Sequence, residues 1–464
     1  MEFSSIIFIL IFLPIFLFSY FIIKNNTYKN IILLLFSLAF YAFGEPIYIF
    51  LMIISIIINY FIALLIDKKK KRLLLILAII FNIGLLIVFK YTDFIIDINN
   101  YLLNTNFAHK NILLPIGISF YTFQILSYVI DVYLGKVKVQ KNILFLGSYI
   151  TAFPQLIAGP IVRYETIEQE LTKRTHSIDK VYDGINRFII GLSKKVLIAN
   201  NVGYITTHVM NQIPTTYGFI GAIISMLCYT LQIYFDFSGY SDMAIGIGKI
   251  LGFSFPENFN YPYIANNITD FWRRWHITLS SWFKEYVYIP LGGNRVKWYR
   301  HIINILIVWL LTGLWHGASI NFLLWGLYYG IFLIIEKYLL KKVLDKTPAF
   351  IKHIYTIIII VIGWTIFYNT NLTDLLNTFK SLIGYYGLGN IKVFVYTESL
   401  TVVNIIAVIF GLLLSTPVFK LINDKLGKNK LYITIKDIVL ILLFILCIVY
   451  LISGSYNPFI YFRF

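Results

Sequence analysis

Long apolar runs separated by short polar connections dominate this chain. A helix that crosses a bilayer needs about 20 apolar residues. Runs of that kind occupy 5–23, 30–44, 47–66, 73–91, 112–134, 185–206, 218–235, 302–320, 322–340, 353–369, 402–421 and 433–452. Two more, 143–160 and 240–253, are apolar but interrupted by polar residues, glycine or proline. The pattern predicts an all-α integral membrane protein, a polytopic bundle of roughly a dozen helices. No repeat, low-complexity stretch or soluble domain interrupts the runs, so residues 1–464 read as one domain.

The polar connections predict an orientation. Lys24 and Lys29 flank the first, and Asp67-Lys68-Lys69-Lys70-Lys71-Arg72 follows the third run. Glu45-Pro46, between the second and third runs, carries no positive charge. Cytoplasmic loops are enriched in Lys and Arg, so the N-terminus is expected outside. Residues 5–23 read as an uncleaved first span, because positive charge follows the apolar run and no small-residue cleavage site ends it.

Segment 143–160 does not fit a simple span. Lys136, Lys138 and Lys141 precede it, and Arg163, Lys173, Arg174 and Lys180 follow. It also holds Pro154, Gln155, Gly159 and Pro160. A re-entrant hairpin satisfies both facts. Irregular backbone at membrane depth requires surrounding protein or a water-filled cavity, so this segment predicts a cavity on the cytoplasmic side.

After a polar stretch, Ser254 to Tyr263, the sequence from Asn267 to Lys284 reads as one helix lying in the interface. Phe271, Trp275, Leu279 and Trp282 fall on one face, and Arg273, His276, Ser280 and Lys284 on another. Asn267 can cap its start, with Asp270 in the first turn. Trp272, Trp275 and Trp282 suit the headgroup region.

Composition agrees with the pattern. The 464 residues are 59% hydrophobic and 13% charged, and the mean hydropathy is +0.77. A soluble domain carries about twice that charged fraction. The formal net charge of +17 lies between apolar runs, which fits cytoplasmic loops and not a nucleic-acid-binding face. It also favours an anionic cytosolic donor or partner. Cys228 and Cys447 both lie in apolar runs, so neither a disulfide framework nor a metal-ligand spacing is expected.

Seven histidines are present. His109, His176, His208, His301 and His353 fall in polar loops or at run edges and read as solvated. His316 lies inside the apolar sequence Leu311 to Ser319. A titratable side chain at membrane depth is costly and marks a functional site by default. Thr312, Gly313 and Ser319 leave small or hydroxylated neighbours on its face. Two readings stand at this point: a buried proton acceptor, or a histidine bonded between helices. His276 is a second candidate, with phospholipid headgroup binding beside Arg273 and Arg274 as its alternative. Asp236 and Asp242, in Tyr234 to Asp242, could orient a histidine or bind an ion, or serve as turn and cap residues. No phosphate loop or nucleophile elbow is present.

A set of motifs adds a family. Tyr234 to Asp242, Pro256-Glu257-Asn258-Phe259, Phe271-Trp272-Arg273-Arg274-Trp275-His276, Tyr286 to Arg295 and Leu314-Trp315-His316-Gly317 resemble the membrane-bound O-acyltransferases. Pro115 to Phe120, Phe153 to Pro160 and Tyr456-Asn457-Pro458-Phe459 extend the resemblance over nearly the whole chain. It is strongest to the bacterial branch typified by the membrane subunit of alginate O-acetyltransferase, and more distant to teichoic acid D-alanyl transfer.

The resemblance implies a helical bundle around a transmembrane tunnel, in the bacterial cytoplasmic membrane. It implies acyl transfer, of acetyl above all, from a cytosolic thioester to an extracytoplasmic polysaccharide or to a partner transferase. The donor would be acetyl-coenzyme A or an acyl-carrier thioester, with no tightly bound cofactor and no metal. Partners would be that donor, the acceptor, membrane lipids, and no nucleic acid. His316 takes the position of the catalytic histidine and His276 that of the second signature residue. His316 would act as base, and His276 or Arg273 would orient or polarise the thioester. Asp236, Tyr240, Trp315 and Gln155 are candidates for lining the tunnel. The alternatives are a non-catalytic transporter of an acyl or lipid-linked intermediate, or a scaffold for a separate extracytoplasmic transferase.

Overall fold

The fold is that of a computed structural model describing residues 2–210, 218–389, 401–454, 456–458 and 460. The helical expectation holds: among the described residues there is no strand. Among the described residues, seven helices are long and apolar enough to cross a membrane, and eight if one pair bent by 64° is a single span. The protein is a multi-pass membrane protein. The chain divides into two compact units, Met1–Phe188 with Ser241–Glu257, and Ile189–Tyr240 with Asn258–Phe464.

In the first unit, α1 (Leu13–Phe21) continues a π-helical turn, Phe8–Phe12. Asn25 caps α2 (Asn26–Gly44) by accepting from the amides of Thr27 and Tyr28. Helices α3 (Tyr48–Lys69) and α4 (Arg72–Leu86) are joined side by side through Asn59 and Asn82. The two buried amides exchange hydrogen bonds at 3.2 and 2.8 Å, a polar adhesive suited to an apolar surround. A π turn carries α4 into α5 (Thr92–Leu103). The run expected at 112–134 forms only α6 (Ile118–Leu134), bracketed by Gly117 and Gly135 at positive φ.

Segment 143–160 is broken, as its prolines require. Helix α7 (Ile143–Thr151) ends at Ala152, and α8 (Phe153–Leu156) is a single buried turn. Neither is long enough to span. Phe153 anchors it among the rings of Phe3, Phe8, Phe12, Phe16 and Phe40. The short helices α9 (Tyr164–Ile167) and α10 (Glu170–Lys173) lead to α11 (Ile178–Ser193).

A π turn joins α11 to α12 (Asn200–Met210). The stretch from 218 to 253 differs from what its apolar runs suggest. The runs at 218–235 and 240–253 are not two segments around a polar loop: α13 (Gly218–Ile250) is one helix of 33 residues. Its carboxylates need no loop, because each has a cation. Asp236 pairs with Lys195 at 2.7 Å, and Asp242 with Arg187 at 2.6 Å.

The second correction concerns 267–284. This segment is two short helices, α14 (Ile268–Arg274) and α15 (Ile277–Phe283), and not one amphipathic helix. The backbone of 258–260 competes for its hydrogen bonds. Asn260 N–H donates to Arg274 O at 2.9 Å, and Ile277 N–H to Asn258 O at 3.0 Å. Trp272, Trp275 and Trp282 are buried in protein and are not a headgroup face.

Helices α16 (Trp298–His316) and α17 (Ile320–Ile335) follow, then α18 (Lys341–Lys346), α19 (Ala349–Tyr368) and α20 (Leu372–Leu382). Helices α21 (Val402–Leu414), α22 (Val418–Leu426) and α23 (Lys430–Ile452) complete the unit. His301 is corrected as well: it is buried, bonded to the hydroxyls of Tyr288 at 2.7 Å and Tyr338 at 2.6 Å.

Candidate active site

The site is built by a close crossing of α16 and α17. Gly313 faces Gly326, and a Cβ added at Gly313 would lie 2.2 Å from the carbonyl oxygen of Phe322. A Cβ at Gly326 would lie 2.3 Å from that of Trp309. Small residues let the two backbones touch. His316 is the last residue of α16. The chain is extended at Gly317, and Ser319 caps α17 by accepting from Asn321 N–H.

This packing surrounds His316 with aromatic rings. Its ring centroid lies 5.0 Å from Trp315, 5.1 Å from Trp325 and 5.1 Å from Phe367. The residue is 6% exposed.

His276 joins the same cluster from the break between α14 and α15. Its ring lies 5.8 Å from Trp315 and 4.6 Å from Phe237, edge to face, with Phe259 stacked on it at 6.5 Å. It is 1% exposed. Its backbone is left-handed, with φ 42° and ψ 55°, a conformation that costs a non-glycine residue about 1–3 kcal/mol and clusters at functional sites.

Asn258 holds the ring. Its Oδ1 accepts from Thr278 N–H at 3.2 Å and from the Thr278 hydroxyl at 2.8 Å, and lies 3.1 Å from His276 Nδ1. The amide N–H of Thr278 identifies that atom as the carbonyl oxygen, so Nδ1 of the neutral ring carries its proton. The lone pair is then on Nε2, which is buried and has no hydrogen-bond partner among the described residues. Burial first, and His316 second, hold the His276 imidazole well below its ordinary pKa. Two buried histidines thus meet around one tryptophan, and at least one is a neutral ring with a lone pair available to accept a proton.

The sequence model of the membrane-bound O-acyltransferase family matches residues 136–376, just over half of the chain and including both histidines. The chain belongs to this family. The chain is an O-acyltransferase, as its relatives' names agree. It is 36% identical to a probable alginate O-acetylase of Pseudomonas putida over 493 aligned residues, covering 100% of each chain. It is 38% identical to the peptidoglycan O-acetyltransferase of Helicobacter pylori, over 83% of this chain and 80% of the relative. The teichoic acid D-alanyltransferase of Bacillus subtilis is 33% identical over 48% of this chain and 58% of the relative.

The other residues singled out from the sequence do not all reach the cluster. Trp315 is its centre. Tyr240 is buried on α13. Asp236 is turned to other work: besides Lys195, its Oδ2 accepts from Ile460 N–H at 3.0 Å. The Lys195 ammonium also donates to Pro458 O. Arg273 is exposed on α14, outside the ring cluster. Gln155 is buried in the first unit, donating to Tyr149 O. Phe459, part of the familiar terminal motif, lies outside the described residues.

Sequence reasoning missed Phe237, Phe259, Trp325 and Phe367 as ring neighbours, and Asn258 as the residue that orients His276. Asn258 and Phe259 stood in a quoted motif, Pro256 to Phe259, which gave them no role.

Proposed function

We propose that this O-acyltransferase moves an acetyl group from a cytosolic acyl thioester across the bacterial cytoplasmic membrane. The acceptors are hydroxyls of an extracytoplasmic polysaccharide, reached directly or through a partner transferase. Relatives named for alginate and peptidoglycan O-acetylation, similar over most of the chain, support the acceptor class. The observation that carries the reading is the pair of buried histidines, both against Trp315.

In this reading His316 accepts the proton of the attacking hydroxyl. The hydroxyl oxygen adds to the thioester carbonyl carbon. The tetrahedral intermediate collapses with rupture of the C–S bond, and the departing thiolate recovers the proton from the imidazolium. His276 takes a different part from the one its motif suggested. With its proton on Nδ1, it has no N–H at Nε2 to polarise a carbonyl. Its Nε2 lone pair instead accepts a hydrogen bond from a neighbouring hydroxyl of the acceptor and so holds the attacking oxygen in place, a positioning effect that enclosure by aromatic rings strengthens.

The test is the O-acetyl content of envelope polysaccharide in a strain carrying His316→Ala at equal protein level. The expected content falls on the order of 100-fold or more, the scale of a general base. Wild-type content would overturn the reading. Acetylation kept in His316→Ala but lost on deletion would mean a scaffold.

A further inference from the structure

The first unit holds a second cluster of charged groups that the acyl-transfer reading does not use. Lys29, in the first turn of α2, is 4% exposed. Its ammonium lies 3.3 and 3.4 Å from the ring nitrogens of His176, and over the rings of Tyr20 and Phe21. Arg174 is 5% exposed. Its Nε donates to Tyr20 Oη at 2.8 Å and its Nη1 to Asn30 Oδ1 at 2.6 Å. Its Nη2 is buried and has no hydrogen-bond partner among the described residues.

No described carboxylate lies within ion-pair distance of Lys29 or Arg174. Glu170 is the one acid that acts on Arg174, and its Oε2 accepts from Ser254 N–H at 2.9 Å. Lys24 and Lys180 add positive charge at longer range, and so does the N-terminus of α2. Burial, Lys29 and Arg174 push His176 down to about 4, so its ring is neutral and does not repel the cations.

A buried cation without an anionic partner costs several kcal/mol. The aromatic faces of Tyr20, Phe21 and Phe253 offset part of that. A guanidinium edge and an ammonium against the same tyrosine ring suit a multiply charged oxyanion better than a carboxylate. We propose that Lys29, Arg174 and the His176 edge form a binding site for a phosphate group. Two sources share that chemistry: the headgroup of an anionic phospholipid, and the phosphate of a soluble ligand.

The experiment is thermal unfolding of the full-length protein in a phosphate-free, lipid-depleted detergent. One arm titrates inorganic phosphate against chloride at matched ionic strength. The other titrates short-chain phosphatidylglycerol against a diacylglycerol without phosphate. The expected result is a saturable rise in the midpoint with one probe or both. Phosphate alone sufficing identifies a soluble ligand, and response to phosphatidylglycerol only identifies a lipid.

Arg174→Gln and Lys29→Met each remove a charged hydrogen bond, so half-saturation is expected to need ~10-fold more probe. Lys29→Met also removes an uncompensated buried charge and is expected to fold without phosphate. It carries the test alone should Arg174→Gln fail to fold. No shift with either probe, or equal half-saturation in wild type and the folded variants, overturns the proposal.

Discussion

Asn258 Oδ1 gathers the Thr278 amide, the Thr278 hydroxyl and His276 Nδ1 on one atom. That arrangement selects the ring face and the tautomer of His276 together. Asn258→Asp keeps an acceptor there but adds a negative charge, which favours the imidazolium and raises the His276 pKa. Neutral His276 is then lost at a higher pH. The acid limb of the pH–rate profile is expected to move up in Asn258→Asp, and an unmoved limb would remove Asn258 from the site. The backbone at His276 gives a second expectation. Asn tolerates the left-handed region and β-branched residues do not. His276→Asn is expected to keep the fold while losing activity, and His276→Val to lower the unfolding midpoint as well. Both histidines were legible in the sequence, His316 because a titratable group in an apolar run is costly, His276 from its motif. The use of Asn258 was not. It lies 18 residues from His276, and a tertiary hydrogen bond leaves no periodic trace.

The crossing of α16 and α17 fixes where α16 ends, and so where His316 sits. A methyl at Gly313 meets the Phe322 carbonyl, which is backbone and cannot turn away. Gly313→Ala is therefore expected to cost about 1–3 kcal/mol by overpacking. Gly84→Ala on α4, where an added Cβ meets nothing within 4 Å, is the control. Equal unfolding midpoints for the two variants would contradict the close-packed crossing. Helix content was readable from the apolar runs, because in a bilayer every backbone group must be satisfied within the protein. The break at Trp275–His276 was not. A helical wheel presumes an unbroken ladder, and here Asn258 and Asn260 take two of its bonds. The unbroken α13 was left open for the opposite reason. Asp236 and Asp242 look like loop residues until Lys195 and Arg187 are seen beside them.

At the scale of the whole molecule, one buried ion pair ties distant parts of the chain. Asp236 of α13 binds Lys195 and the amide of Ile460, and Lys195 reaches Pro458 O. Asn200 and Thr207 hold Asn457 and Tyr456 in the same stretch. Asp236→Asn leaves a buried ammonium without its counter-ion, and a loss of about 3–5 kcal/mol is expected. A double variant, Asp236→Leu with Lys195→Met, is expected to lose less than the single change, since no charge is stranded. The reverse order in unfolding midpoints would contradict a buried pair. Stability should also depend on acid. His176 is held near 4 in the fold against an ordinary value of 6.5. The neutral ring's contribution is thus complete above 6.5 and is lost as pH falls toward 4. His176→Gln is expected to flatten the fall in midpoint over that window, and an unchanged slope would contradict it.

The central claim is that His316 and His276 carry out acyl transfer around Trp315. Its most direct test is ester formation in inverted membrane vesicles given a labelled acetyl thioester outside and acceptor polysaccharide within. Wild type is expected to form base-labile polymer ester and release one thiol per ester. His316→Ala and His276→Asn, present at equal level with unchanged unfolding midpoints, are expected to fall on the order of 100-fold or more. Ester formation at the wild-type rate in His316→Ala would contradict the account.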